Sequence, residues 1–392
     1  MADLPDVDVP PLADLIERNA ELKRELLDFA QSPRFSRHLS QVMLEAANQQ
    51  GALDESLAIA TMDHFASLHR LPDGKTVLDK FLASRRDLSA VDRAMLSGWR
   101  DPVEGFFENL RMDGDAAILL NLLDDLEYRV YSNMGPAAMR QLPKGGFLLT
   151  KIVPVHPAMP GAWLVSGMMK SYRKSDGPAF AGVALRQAAE RPQLVFRNPE
   201  KIKQGWEMMR AQRAAFIEFF GTDELVLPPA EARTQINAYY RHYQDSRAAK
   251  PRGRAKAAPD VDLFDLHLDE AEADTLGIIF DETDGLNFYL DYGMLRELFA
   301  DPDLASDKRY ADVLREYLNS ADVAPLPLHR VAAAHPDSVD AVYRKVLRKP
   351  SFTWADHGEA LLRRRKPWYY EREPRPGVSV IGPRLAELAA RR

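Results

Sequence analysis

The sequence predicts a multidomain α+β protein, and three observations carry that expectation. Apolar residues recur at helical spacing over residues 1–98, switch to short strand-like runs over 99–175, and return to helical spacing afterwards. Residues 246–259 hold five basic residues, no acid and no large apolar side chain. Thr283-Asp284-Gly285 stands between two apolar runs, a strong hairpin signal. The parts expected are a helical N-terminal region (1–98), a small five-stranded OB-like or SH3-like β-barrel (99–175), a helical connector (176–245), a basic flexible linker (246–259) and an α+β C-terminal domain (260–392). For 392 residues, two or three domains is the ordinary number.

In the N-terminal region, Leu12, Leu15, Ile16, Leu22, Leu26 and Leu27 follow the stop at Pro10-Pro11 with helical periodicity. Further helices are expected at 37–50, at 54–69 with Asp54 as its cap, and from Val77 after the turn Leu71-Pro72-Asp73-Gly74. Strands are expected at 104–112, 116–123, 126–131, 146–155 and 162–172. A short helix at 136–142 separates the third from the fourth. That element order suits an OB-like barrel. The connector carries helices at 204–220 and 233–244. The linker cannot bury enough apolar surface to offset the entropy of ordering it. Beyond it, strands at 276–282 and 286–292 flank the hairpin turn. Helices follow at 294–299, 308–319, 338–348 and 354–365, with Thr353 as the expected cap of the last.

Composition excludes several chemistries. With no cysteine, the chain cannot hold a disulfide framework, a cysteine-ligated zinc or iron–sulfur site, or a thiol nucleophile. It has no Gly-x-x-x-x-Gly-Lys-Ser/Thr loop, no Gly-x-Gly-x-x-Gly turn, no Gly-x-Ser-x-Gly elbow and no His-Glu-x-x-His pair. No run of about 18 apolar residues exists, and the acidic, proline-interrupted start does not resemble a secretory signal. A cytoplasmic protein without membrane association is therefore expected. No cofactor is called for.

The net charge of −6 hides a split. Residues 260–304 carry 14 acids and one base, a net of −13; residues 345–392 carry 12 bases and five acids, a net of +7. The two blocks either neutralise each other or meet a partner. Two segments mix cations with aromatic rings, as single-stranded nucleic acid binding needs. One runs through Tyr240, Arg241 and Tyr243 to Arg252 and Arg254; the other comprises Arg363, Arg364, Arg365, Lys366, Trp368 and Tyr369. A weaker set lies in the barrel zone: Phe106, Phe107, Tyr128, Arg129, Tyr131, Lys151 and Trp163. The acidic hairpin residues Asp281, Glu282, Asp284 and Asp291 are the candidate ligands for magnesium or calcium. The expected function is that of a non-catalytic binding or adaptor protein engaging RNA or a ribonucleoprotein. The alternatives are a protein-binding scaffold without nucleic acid and a metal-assisted hydrolase using the acidic hairpin.

Overall fold

The computed structural model describes residues 9–51, 54–247 and 273–391. The chain divides into two compact units, Met1–Lys201 with Ser379–Arg392, and Ile202–Val378. Helix and sheet are mixed in both.

The first unit opens with α1 (Leu12–Ala30), α2 (Ser36–Gln50), α3 (Glu55–Ser67), α4 (Val77–Ser84) and α5 (Ala90–Gly98). Asp54 caps α3 as expected, accepting from the Leu57 amide at 2.7 Å. Thr76 and Ser89 build capping boxes at α4 and α5 with Asp79 and Asp92, satisfying amide groups that a helix start leaves unpaired. Five strands follow: β1 (Val103–Asp113), β2 (Ala116–Asn121), β3 (Glu127–Tyr131), and, after α6 (Pro136–Arg140), β4 (Phe147–Pro154) and β5 (Ala162–Tyr172). All five belong to one sheet. Neighbours run in the order β1-β2-β3-β5-β4, and β4 returns to pair with β1, so the sheet closes on itself. Only β3 and β5 pair in parallel. Phe107, Leu119, Val130, Leu148 and Ile152 fill its interior.

Both outer sides of the closed sheet are covered, which explains why β1 is buried over 105–109 and β4 almost throughout. On one side Leu22 and Leu26 of α1 and Phe65 of α3 pack with Tyr131, Val153 and Leu164. On the other, α7 (Gly177–Glu190) and α16 (Pro383–Ala389) bring Phe180, Leu385 and Leu388 onto Phe106 and Phe147. Arg384 of α16 closes a two-pronged ion pair on Glu108 of β1, at 2.6 and 2.7 Å.

The second unit is built on a three-stranded antiparallel sheet, β6 (Glu224–Leu227), β7 (Leu276–Asp281) and β8 (Gly285–Leu290), in that order. Side chains alternate across β7. Leu276, Ile278 and Phe280 face α8 (Pro199–Phe220) and α9 (Pro229–Arg247) through Met209, Phe216 and Ile236. Ile279 joins the opposite core, with α10 (Tyr292–Ala300), α11 (Lys308–Asn319), α12 (Leu326–Ala334), α13 (Val339–Leu347) and α14 (Trp354–Arg365). The short α15 (Pro367–Glu371) follows. Thr353 stands at the N-cap position of α14 as expected, but its side chain makes no cap bond. Its hydroxyl donates instead to Asp356 at 2.7 Å, and no backbone amide of α14 bonds to it.

The expected helical region and the five strands lie in the first unit. The expected connector is divided between the units, because β6 pairs with β7, and the last residues of the expected C-terminal domain lie with the first unit. Of the expected linker, residues 248–259 lie outside the described residues. Among the described residues no helix is long and apolar enough to cross a membrane.

Candidate functional site

The first unit holds a buried ionic cluster assembled from three elements. Helix α3 supplies Asp63 and Ser67, one turn apart and so on one face. Helix α1 supplies Lys23, and the closed sheet supplies Lys151 of β4 and Ser166 of β5, which face each other directly across the two strands. The Lys23 and Lys151 ammoniums both donate to the Asp63 carboxylate, one to each oxygen. Lys151 Nζ also donates to Ser67 Oγ at 3.0 Å, and Ser67 donates onward to the Asp63 carbonyl at 2.6 Å. Lys23 Nζ donates to Ser166 Oγ at 3.2 Å, and Ser166 donates to Asp63 Oδ1 at the same distance.

A local irregularity in β5 makes room for this. The β4–β5 register shifts between Thr150 and Lys151, placing Gly167 and Met168 as a bulge beside Ser166. Gly167 has φ of +75°, and a Cβ there would sit 3.0 Å from the Asp63 carboxylate. Glycine is thus required twice, for its conformation and for the close approach of α3.

Asp63 and Lys151 have side chains only 5% and 10% exposed. Burial alone would raise the Asp63 carboxyl, but the two ammoniums and their hydrogen bonds outweigh it and hold the group below its ordinary value. Burial dominates for Lys23, whose ammonium is pushed below its ordinary value despite Asp63.

Asp63, Lys151 and Ser166 of the cluster form one wall of a cavity of about 470 Å³ bounded by α3, α7, β1, β4 and β5, with Lys23 behind that wall. Its other walls are mainly apolar: Phe106, Leu123, Leu149, Met168, Val183 and Leu194. Val183 is 38% exposed, although it stands on a helix otherwise packed through Phe180 and Ala184. Glu104 and Arg191 stand at the rim and pair at 3.1 Å.

Of the sequence-derived candidates, Lys151 is the one that belongs to the ionic cluster. Phe106 contributes to the cavity wall, whereas Phe107 and Tyr128 lie inside the closed sheet and Tyr131 packs under α1. Arg129 bonds to Asp113 and Tyr131. Lys23, Asp63, Ser67 and Ser166 were not singled out by sequence. A polar residue at the apolar edge of a helix is ordinary, and only the fold brings these four together. Lys151 stands only in the weaker barrel-zone set; the signal that marks it is its lone charge in the run Phe147 to Val153.

In the second unit, Tyr240 and Tyr243 pack against the core of α8 and α9, and Arg241 is exposed; Arg252 and Arg254 lie outside the described residues. Arg363 pairs with Glu359 at 2.9 Å and lies over the Tyr370 ring, and Arg365 donates to Asn319 at 2.9 Å. Arg364 is exposed, and Trp368 partly so. Lys366 departs from the expected surface role. It is fully buried, its ammonium donating to the Ser320 and Val323 carbonyls at 2.9 and 2.7 Å. Burial pushes it down to about 8.

The acidic hairpin is occupied by internal bonds. Asp281 Oδ1 accepts the Thr283 and Asp284 amides. Asp284 accepts from Tyr369 at 2.9 Å and pairs with Arg372 at 2.5 Å. Asp291 accepts the Asp274 amide, and Glu282 is exposed 3.5 Å from Arg213. Among the described residues no three Asp, Glu or His side chains are gathered so as to hold a metal ion. Comparison of the chain with protein-family models, with curated proteins and with solved structures returns no match.

Proposed function

We propose that the chain is a binding protein whose first unit takes a small organic molecule into the cavity between α3, α7 and the closed sheet. One observation carries this reading: a buried carboxylate bonded to two ammoniums stands at the wall of a largely apolar cavity, with Asp63 and Lys151 lining it and Lys23 behind them. Burying such ions costs several kcal/mol each, and well-packed apolar side chains often serve stability as well or better. Convergent polar groups with displaced proton affinities, set in an apolar cavity of this size, are the usual mark of a ligand site. The sheet's closure and the helix between its third and fourth strands support reading it as an OB-like barrel. N-Phenyl-1-naphthylamine, a neutral fluorescent probe, should bind once per chain, and Val183→Trp should abolish binding by filling the cavity mouth. Unchanged binding to Val183→Trp, or no binding to either chain, sinks the proposal.

A second reading keeps RNA or a ribonucleoprotein as partner, through the second unit. Its support is the stacking of Arg363 on Tyr370 and of Arg372 on Tyr369, beside exposed Arg364 and Trp368. Guanidinium and aromatic faces of this kind suit single-stranded nucleic acid. The burial of Lys366 and the use of Asp284 by Tyr369 and Arg372 favour a scaffold in which the basic segment answers the acidic one. Filter binding of poly(U) over a salt series separates the two. Affinity that falls with salt and is lost in Arg363→Glu/Arg364→Glu supports RNA; no binding at low salt supports the scaffold.

A further inference from the structure

The cavity in the first unit says more about its ligand than size alone. Asp63 and Lys151 line the cavity, and Lys23 stands behind them on the other oxygen of Asp63, so the buried cluster at that wall carries two ammoniums against one carboxylate, one positive charge in excess. The rim pair Glu104–Arg191 cancels within itself, and among the described residues no third acid lines the cavity. Counting donors points the same way. An ammonium has three N–H groups. Lys151 gives one to Asp63 and one to Ser67, leaving one unassigned at the cavity wall.

We infer that the ligand is an amphiphilic monocarboxylate, with its carboxylate on Lys151 and its apolar body against Phe106, Leu123, Leu149 and Met168. This rests on reading the cavity as a ligand site. A carboxylate supplies the one missing negative charge and accepts the one remaining N–H. A phosphate monoester carries more charge and needs more donors. Among the described residues Lys151 is the sole lysine lining the cavity, and the arginine there is held by Glu104. A neutral ligand leaves the excess charge uncompensated.

Calorimetric titration of the full chain with decanoate, 1-decanol and decyl phosphate tests this. Decanoate should bind about thirtyfold or more tightly than 1-decanol, the loss expected when a buried charge lacks its partner. Lys151→Met should remove that preference. Should Lys151→Met fail to fold, carboxyl-labelled decanoate on the unaltered chain decides by NMR. Its bound carboxyl should titrate at lower pH than free decanoate, and titration at higher pH overturns the inference. Equal affinity for decanoate and 1-decanol means the cluster balances itself with Lys23 neutral; the inference falls while the cavity reading stands. Tighter binding of decyl phosphate overturns the monocarboxylate assignment. If neither decanoate nor 1-decanol binds, or binding persists in Val183→Trp, both readings fall.

Discussion

At the scale of single residues, the arithmetic of Asp63 and its two lysines has an asymmetric consequence. Removing the carboxylate leaves two buried ammoniums facing each other, whereas removing one lysine leaves a neutral pair. Asp63→Asn should therefore lose about 3–5 kcal/mol of stability, the usual cost of stripping one member from a buried ionic group. Lys23→Met should cost clearly less. Urea unfolding of both variants checks this, and equal losses would mean that charge does not govern the cluster. Lys366 makes a separate prediction through pH. Its folded value of about 8 lies below the ordinary 10.5, so between these values the unfolded chain binds more protons. Its contribution to stability should thus rise with pH across that window and level off above it. Lys366→Met should flatten the rise, as measured by urea unfolding at pH 7, 9 and 10.5. Local sequence announced one of these residues. Lys151 interrupts an apolar strand, an anomaly visible in one dimension. Lys23, Asp63 and Ser166 are separated by up to 143 positions and look ordinary where they stand.

At the scale of elements, periodicity and turn chemistry placed most helices and strands within a residue or two. The five strands of the first unit and the 308–319 helix lie where alternation, spacing and punctuation put them. The exceptions include the 14-residue α7, expected only as part of a helical connector, and the first turn of α8, which starts before the expected 204. Helices α5, α12 and α16 are short, seven to nine residues, so they hold too few apolar positions for a period to register. Strand β6 has four residues and is a strand because β7 lies beside it. Helix α16 has the largest energetic consequence. Leu385 and Leu388 are buried against Phe147 and Phe180, each worth about 1.5–3 kcal/mol. Glu108, 5% exposed, depends on Arg384 for its counter-charge. Ending the chain at Val378 should lower the melting temperature of the first unit, and a synthetic peptide of residues 379–391 should restore part of it. An unchanged melting temperature would show that α16 contributes little to that core.

At the scale of the whole molecule, the two compact units have separate cores. Each unit packs its own hydrophobic clusters around its own sheet. Calorimetry should resolve two unfolding transitions, as separate cores allow. Asp63→Asn should lower one and Leu314→Ala, in the buried face of α11, the other. A single transition moved equally by both substitutions would show that the units unfold together. The charge split also resolves at this scale. Asp284 of the acidic block takes Tyr369 and Arg372 of the basic one, and Asp303 takes Lys345. Part of the imbalance seen along the chain is thus settled within the second unit.

The sequence by itself determined most of the longer elements, the order of helical and strand-rich stretches, and the chemistries that a cysteine-free chain without phosphate loops cannot perform. These follow from local periodicity, turn residues and composition, which need no knowledge of distant contacts. Tertiary structure alone decided that the closing helix joins the first unit and that β6 joins the second. It alone brought Lys23, Asp63, Lys151 and Ser166 into one cluster. Each depends on packing between positions far apart in the chain, where a residue's environment is set by neighbours that spacing cannot reveal.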